Sequence, residues 1–379
     1  MTDRERLLAI MAGKSPDRVP WIPRLSIWYT ARRRAGTLPG PYRDMSLTEV
    51  EQDLRLGTPA RDGVIFRTQM KNVEIDKRRL NDLEERTEYR TPVGTVSTLF
   101  RGSDSLRQKG IQDLEVEFML KRREDYTVVQ YILENTEVLP AYEDYAQYED
   151  EIGERGYPMV HCGDCPFHHW MRALAGYENA YFHLHDFPAE VEQLLTVMTQ
   201  RDREIVWKTI TESPAKLILH GVHYSSQMTP PSLFTEYITP YYQELSALLR
   251  AHGQTLTLHG DNDTRHILTH IEQAGFGMVE CFATHPLVET TLGEARRAWG
   301  NRVIIWGGVP SVILEDPYSD EQFEAYMQEV FQTIAPGDAF ILGVADNVMP
   351  EAKIDRIRRI TEMVEQHGAY PIKADATLA

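Results

Sequence analysis

The chain has 379 residues, 42% of them hydrophobic and 26% charged, which is enough to bury a full core without staples and too apolar for general disorder. Lys and Arg total 40 against 57 Asp and Glu, a formal net charge of −17, and this argues against nucleic acid or an anionic membrane as the main partner, since both select a basic face. Three cysteines (Cys162, Cys165, Cys281) are too few and too unevenly spaced for a disulfide framework, and no run reaches the length of a membrane-spanning helix, so a cytoplasmic location is expected.

In chain order, residues 1–10 mix charges with apolar residues and lack the continuous apolar run of a signal peptide. Thr2 and Glu5 spell a capping box, Leu7, Leu8 and Met11 supply an apolar face, and Gly13 can close the turn, so a short capping helix is predicted. Apolar runs at 19–22 and 63–66 read as the first two strands. An insertion follows at 69–157, with a hairpin at 88–96 turning on Pro92 and Gly94 and an acidic, exposed stretch at 137–154. From 158 to 368 short apolar runs alternate with amphipathic segments. Strands are predicted at 159–161, 217–220, 255–258, 277–280, 303–306 and 339–342, and helices at 231–251, 265–274, 292–298, 321–334 and 354–366. The tail at 373–379 is expected to fray.

Repeated βα units predict a parallel sheet with helical crossovers. With the two early runs the strands are enough to close an α/β (β/α)8 TIM barrel, a single domain over 1–379 with an N-terminal helical cap. An open doubly wound sheet satisfies the same alternation, but no GxGxxG supports a dinucleotide-binding version.

Barrel active sites sit where strands end. Strand ends here carry His161, His220 with His223 beyond it, His259 with Asp261, Glu280, and Asp346 after the last strand. These groups are far apart in sequence, and a barrel would gather them on one rim. Imidazole and carboxylate are normal ligands of a divalent metal, and a catalytic site needs three protein donors and an open position. His259 and Asp261, two residues apart, can chelate together while Glu280 or Asp346 completes the set. Loop acids also cap helices, and Asp263 reads as an N-cap before 265–274. The Cys162–Cys165 pair with His168 and His169 nearby can hold zinc or run redox chemistry, but a single CxxC leaves too few ligands, and the loop reads better as pocket lining. Trp28, Tyr29, Trp170, Tyr224 and Trp306 lie near strand ends or loops; most aromatics are core, and Trp306, followed by Gly307 and Gly308, is the best pocket candidate. The basic run Arg32-Arg33-Arg34 reads as solvated surface.

Several stretches resemble the uroporphyrinogen decarboxylase superfamily, which includes cobamide-dependent methyltransferases. They are Arg4-Glu-Arg-Leu to Gly13-Lys-Ser-Pro-Asp-Arg-Val-Pro20, then Pro231-Ser-Leu-Phe-Thr-Glu-Tyr-Ile-Thr-Pro-Tyr241 and His259-Gly-Asp-Asn262. After these come Gly300-Asn-Arg-Val-Ile-Ile-Trp-Gly-Gly308 and Phe340-Ile-Leu with Pro350. The resemblance implies a (β/α)8 barrel with its active site at the C-terminal strand ends. It departs from true uroporphyrinogen decarboxylases: Ile65-Phe66-Arg67-Thr68 lacks their aspartate, and the segment around Arg24 is unlike theirs. The methyltransferase branch is closer, through Thr91-Pro92-Val93-Gly94-Thr95 and Gly221-Val-His-Tyr-Ser-Ser-Gln-Met228. Thiol-methylating members hold zinc with His-x-Cys and a later Cys. Here the resemblance puts His259-Gly-Asp261 and Asp346 at those positions, with Glu280 where a carboxylate approaches the metal.

Carboxylates leave zinc a harder Lewis acid than thiolates do, which suits a methyl ether oxygen better than a thiol. The resemblance thus implies a metal-dependent methyltransferase that passes a methyl group from a small, methoxylated aromatic to a corrinoid (cobalamin) protein, an O-demethylase component. His223 or Glu280 would manage the proton, and Trp28, Tyr29, Arg67, His161, Tyr224 and Trp306 would line the substrate site. A homodimer is compatible with this. Two other readings stand beside it: a decarboxylase or lyase in which Arg67 or Arg24 grips a small carboxylic acid, and a non-catalytic barrel that binds a corrinoid or aromatic ligand.

Overall fold

The first helix, α1 (Asp3–Met11), begins as its sequence requires. The Thr2 hydroxyl accepts from the Glu5 N–H, and the Glu5 carboxylate accepts from the Thr2 N–H. The computed structural model describes residues 1–374, so most of the tail expected to fray lies outside the described residues. The chain forms two units, one of Met1–Gly63, Ala146–His161 and Ala215–Ala379, the other of Val64–Tyr145 and Cys162–Pro214. The predicted insertion at 69–157 falls across both.

In the first unit six strands form one sheet: β1 (Met159–His161), β2 (Leu217–Val222), β3 (Thr255–His259), β4 (Met278–Phe282), β5 (Ile304–Pro310) and β6 (Phe340–Ala345). They lie side by side in sequence order, every neighbouring pair parallel. Their apolar runs are buried along nearly the whole length, as expected when both faces of a parallel sheet are covered. A single-residue bridge extends each edge: Trp21 pairs in parallel with Leu342, and Gly63 with Val160. The second early segment meets β1 through Ala60 and Gly63, whose backbones bond Met159, rather than over the predicted 63–66. Trp306, Ile22, Met159, Leu219, Met278 and Ile341 share one buried cluster with Leu7 and Ile10 of α1, so the helix packs its apolar side onto the sheet residues.

Two of these ladders are irregular. The β2–β3 ladder shifts register between Leu219 and Val222, and the β4–β5 ladder between Val279 and Phe282. Bulges of this kind bend a strand and re-aim its side chains. Gly307 serves the second of these: a Cβ there would stand 2.6 Å from the Phe282 carbonyl oxygen, so the residue is glycine because two strands touch.

Among the helices, Leu292–Trp299 carries its own capping box from Thr291 and Glu294, and Ile354–His367 matches its predicted span closely. The segment predicted at 231–251 is broken by a π turn at Phe234–Ile238, and the one at 265–274 shortens to Leu268–Gln273. Asp263 is therefore not its N-cap. Its Oδ1 accepts from the backbone N–H and the hydroxyl of Thr290, tying two loops together. Among the described residues no helix is long and apolar enough to cross a membrane.

The second unit holds a four-stranded antiparallel sheet of Glu74–Arg79, Glu84–Thr91, Gly94–Arg101 and Leu114–Glu117. Its central hairpin closes at Thr91 and Gly94, where the sequence predicts the turn. Phe66–Met70 pairs separately with Thr136–Pro140.

Candidate metal centre

β3 ends on His259, and Asp261 follows two residues later. β4 contributes Glu280 and then Cys281, and Asp346 comes directly after β6. In a regular strand Glu280 and Cys281 would point to opposite faces. Cys281 instead adopts φ 52°, inside the register shift, and both side chains reach the same centre. His223, just past β2, sits at φ 59°, with its N–H on the His259 carbonyl at 3.3 Å and its own carbonyl accepting from Asn262 at 3.0 Å.

His259 is the hub. Its Nδ1–H donates to Glu280 Oε1 at 2.6 Å, and its Nε2 faces Asp261 Oδ2 at 3.4 Å and Asp346 Oδ1 at 3.5 Å. The other oxygen of Glu280 accepts from Arg61 at 2.6 Å, so both oxygens of that buried carboxylate are engaged. His223 Nδ1 donates to Asp261 Oδ2 at 2.7 Å, leaving Asp261 Oδ1 buried with no hydrogen-bond partner. Arg24 pairs with Asp346, and the Cys281 sulfur lies 3.2 Å from Arg61 and 3.6 Å from Arg24.

The electrostatics follow from this packing. Burial alone would lower the His259 pKa, but Glu280 and the contacts with Asp261 and Cys281 hold it well above the usual value. Burial would raise Glu280, yet Arg61 and His259 outweigh it and hold the carboxyl at about 2. Asp261, likewise buried, is held well below the usual carboxylate range by His223 and His259. Burial pushes the Cys281 thiol up to about 11. The donors suit a divalent ion: an imidazole nitrogen set by an outer carboxylate, an ionised aspartate with an unpartnered buried oxygen, and two groups of three donor atoms lying within 4.8 Å of one another. These groups are His223, His259, Asp261 and His259, Cys281, Asp346.

The structure thus brings together His223, His259, Asp261, Glu280 and Asp346, all singled out in the sequence. Glu280 reaches the centre as the partner of His259 and Arg61, and it belongs to neither donor group. The expected aromatic lining is arranged otherwise. Trp28 Nε1 donates to the Ala352 carbonyl, Trp306 Nε1 to that of Ile22, and the Tyr29 hydroxyl to that of Met45. Tyr224 is wholly buried with its hydroxyl on Tyr242. All four are buried and spend their polar atoms on the protein, as core residues do. Arg67 belongs to the second unit, where it is exposed and pairs with Asp144 at 2.6 Å. His161 closes β1 and is exposed. Among the described residues neither Cys162 nor Cys165 joins a three-donor group; Asp164 between them binds His168 at 2.6 Å.

Arg61 and Cys281 are the residues that the sequence reading misses. Moving the second segment's contact back to 60–63 exchanges Arg67 for Arg61, and an arginine two residues before the bridging Gly63 is the signal that was available. For Cys281 there was no such signal, because its inward turn depends on the bulge.

Comparisons with known proteins bear on the fold and the family. A methyltransferase from Methanosarcina mazei superposes with a TM-score of 0.54 at 13% identity, covering 97% of this chain and 99% of that one. An octameric ribulose-1,5-bisphosphate carboxylase/oxygenase (Rubisco) from Pyrococcus horikoshii OT3 aligns over 62% of this chain and 47% of its own at 8% identity, with a TM-score of 0.29 too low to carry an argument. A search of curated proteins gives no match. The sequence model of the family described as uroporphyrinogen decarboxylase (URO-D) matches residues 130–367, more than half of the chain. With that span and the fold agreeing, the chain belongs to the uroporphyrinogen decarboxylase (URO-D) family.

Proposed function

We propose that this chain is a metal-dependent methyltransferase that moves a methyl group from a small methoxylated substrate to a reduced corrinoid carried by a partner protein. The observation that carries the reading is the convergence on His259: its Nε2 faces two carboxylates at 3.4 and 3.5 Å while Glu280 occupies its Nδ1. In the same reading the first unit is a (β/α)8 barrel, with the segments at 19–22 and 57–63 as its first two strands. The Gly57 N–H on the Trp21 carbonyl at 3.0 Å is the link between them.

His259 and Asp261 would hold the ion, with a third donor from the neighbouring groups. When bound, a divalent ion such as zinc supplies Lewis acidity toward an ether oxygen. The protein's own part is orientation and charge. Glu280 fixes the tautomer and plane of His259, and Arg61 holds Glu280 in place. A carboxyl held at about 2 stays ionised at neutral pH, so Glu280 serves as this fixed partner rather than as the proton donor expected of it. As the methyl–oxygen bond breaks, its electron pair remains on oxygen, and the guanidinium groups of Arg24 and Arg61 offset the charge that develops. The same two arginines favour a substrate that carries a carboxylate, such as a methoxybenzoate.

That feature also supports a second reading, a lyase or decarboxylase acting on a small carboxylic acid. One experiment separates the two: purified protein is incubated with a reduced corrinoid protein and a panel of methoxybenzoates, while methylated corrinoid and released CO₂ are followed together. Methylated corrinoid with the matching phenol supports the transferase. CO₂ release that needs no corrinoid overturns it in favour of the lyase.

A further inference from the structure

We propose that the third donor is His223, so that His223, His259 and Asp261 form a two-histidine, one-carboxylate site, while Asp346 and Cys281 stay outside the ion's shell beside Arg24 and Arg61. The inference rests on the proposed metal-dependent function and narrows it to one of two overlapping donor sets that share His259.

Charge separates the two sets. On one side Asp346 pairs with Arg24, and the Cys281 sulfur stands 3.2 Å from Arg61 and 3.6 Å from Arg24. A dication there would sit beside two guanidinium groups, and Arg keeps its charge at any working pH. On the other side Asp261 meets the imidazoles of His223 and His259, with its Oδ1 buried and unpartnered. Among the described residues no guanidinium lies in hydrogen-bond contact with Asp261 or His223, so an ion there displaces only imidazole protons, among them the one that links His223 Nδ1 to Asp261.

Backbone geometry points the same way. A non-glycine residue at φ 59° is uncommon and persists where its surroundings over-determine it. His223 is fixed at its N–H by His259 and at its carbonyl by Asn262, two residues whose neighbours in sequence include the remaining donor. The conformation brings the His223 ring against that of His259, with centroids 5.2 Å apart and planes at 80°. His259 already has an outer partner in Glu280, the arrangement that leaves Nε2 as the ligating nitrogen. Two imidazoles and a carboxylate with open positions form a recognised donor set for first-row divalent ions, and it contains no thiolate. His223 is then a ligand, not the proton carrier that the sequence alone proposes.

The test uses the full chain, stripped with a chelator and titrated with Co(II) alone, with no methyl donor or corrinoid present. The wild type is expected to bind one equivalent and to show d–d absorption without a sulfur-to-cobalt charge-transfer band. H223N, chosen because Asn tolerates a left-handed backbone, should weaken binding by more than the roughly 10–100-fold that loss of an outer partner costs. D346N and C281S should stay within about 10-fold of wild type, the small end of that same range. A charge-transfer band that C281S abolishes overturns the assignment, as does an H223N protein that binds like wild type while D346N does not. Even if H223N folds poorly, the wild-type spectrum separates the two donor sets, since only the other contains a thiol. Wild-type protein that binds no divalent ion also overturns it. A cobalt-loaded protein with the expected spectrum that transfers no methyl group leaves the site standing and removes the functional reading instead.

Discussion

Nδ1 of His259 and Oε1 of Glu280 lie 2.6 Å apart with both side chains buried, and this contact determines what the opposite imidazole nitrogen presents to Asp261 and Asp346. An imidazole whose Nδ1–H is committed to a carboxylate has its ring plane fixed and its Nε2 lone pair made more basic. Glu280→Gln keeps the shape and removes the charge. Divalent-metal affinity should fall roughly 10–100-fold, read by competition against a chromogenic chelator, with the fold retained by circular dichroism. Unchanged affinity would remove Glu280 from the account.

Arg61 holds the other oxygen of that carboxylate at 2.6 Å. Arg61→Met leaves a buried charge half-paired, and breaking such a pair typically costs about 3–5 kcal/mol. Urea unfolding of the variant should show a loss of this order, and the double variant Arg61→Met, Glu280→Gln should recover part of it, since the amide needs no counter-charge.

Trp306 separates core from pocket. Its Nε1 donates to the Ile22 carbonyl at 3.0 Å within the buried cluster that also takes up α1. Trp306→Phe leaves that carbonyl without its donor, a loss of about 1–3 kcal/mol in unfolding experiments. KM for the methyl donor should not move. A rise in KM at unchanged stability would return Trp306 to the substrate-lining role that its two following glycines first implied.

The strands were largely readable because a parallel sheet buried on both faces writes continuous apolar runs, and Leu217–Val222 and Phe340–Ala345 are such runs. The site groups were readable for the related reason that His259 and Asp346 stand at or just past the ends of their apolar runs and Glu280 interrupts one. What the pattern does not carry is irregular backbone. The positive φ of His223 and Cys281 and the register shifts beside them depend on neighbouring strands, so Cys281 was invisible as a centre residue. For the same reason the glycine after Trp306 did not mark a pocket: Gly307 makes room for Phe282 of the neighbouring strand. The second early segment makes only a one-residue bridge, too little for a periodic signal, and Arg61 was missed with it.

Glu51 gives a pH signature away from the metal centre. It is buried, and burial raises its carboxyl to about 7, opposed by the Thr58 hydroxyl at 3.0 Å and by Arg155. Below pH 4.5, the value for an unperturbed glutamate, it is protonated whether the chain is folded or not, and it costs nothing. As the pH rises from there through 7 the unfolded chain ionises first, and stability drops by a total on the order of 3 kcal/mol. Glu51→Gln should therefore melt higher than wild type at pH 8 and nearly with it at pH 4, measured by calorimetry. Equal melting temperatures at both values would show that Glu51 is ionised in the folded protein.

The most direct measurement is the metal content of the full-length protein as purified, set beside that of Asp261→Asn. One equivalent of a divalent transition metal in the wild type, lost in the variant while its fold is kept, is the predicted result. A wild-type protein that holds no metal even after reconstitution, or an Asp261→Asn variant that holds it equally well, contradicts the claim that His259 and Asp261 meet around an ion.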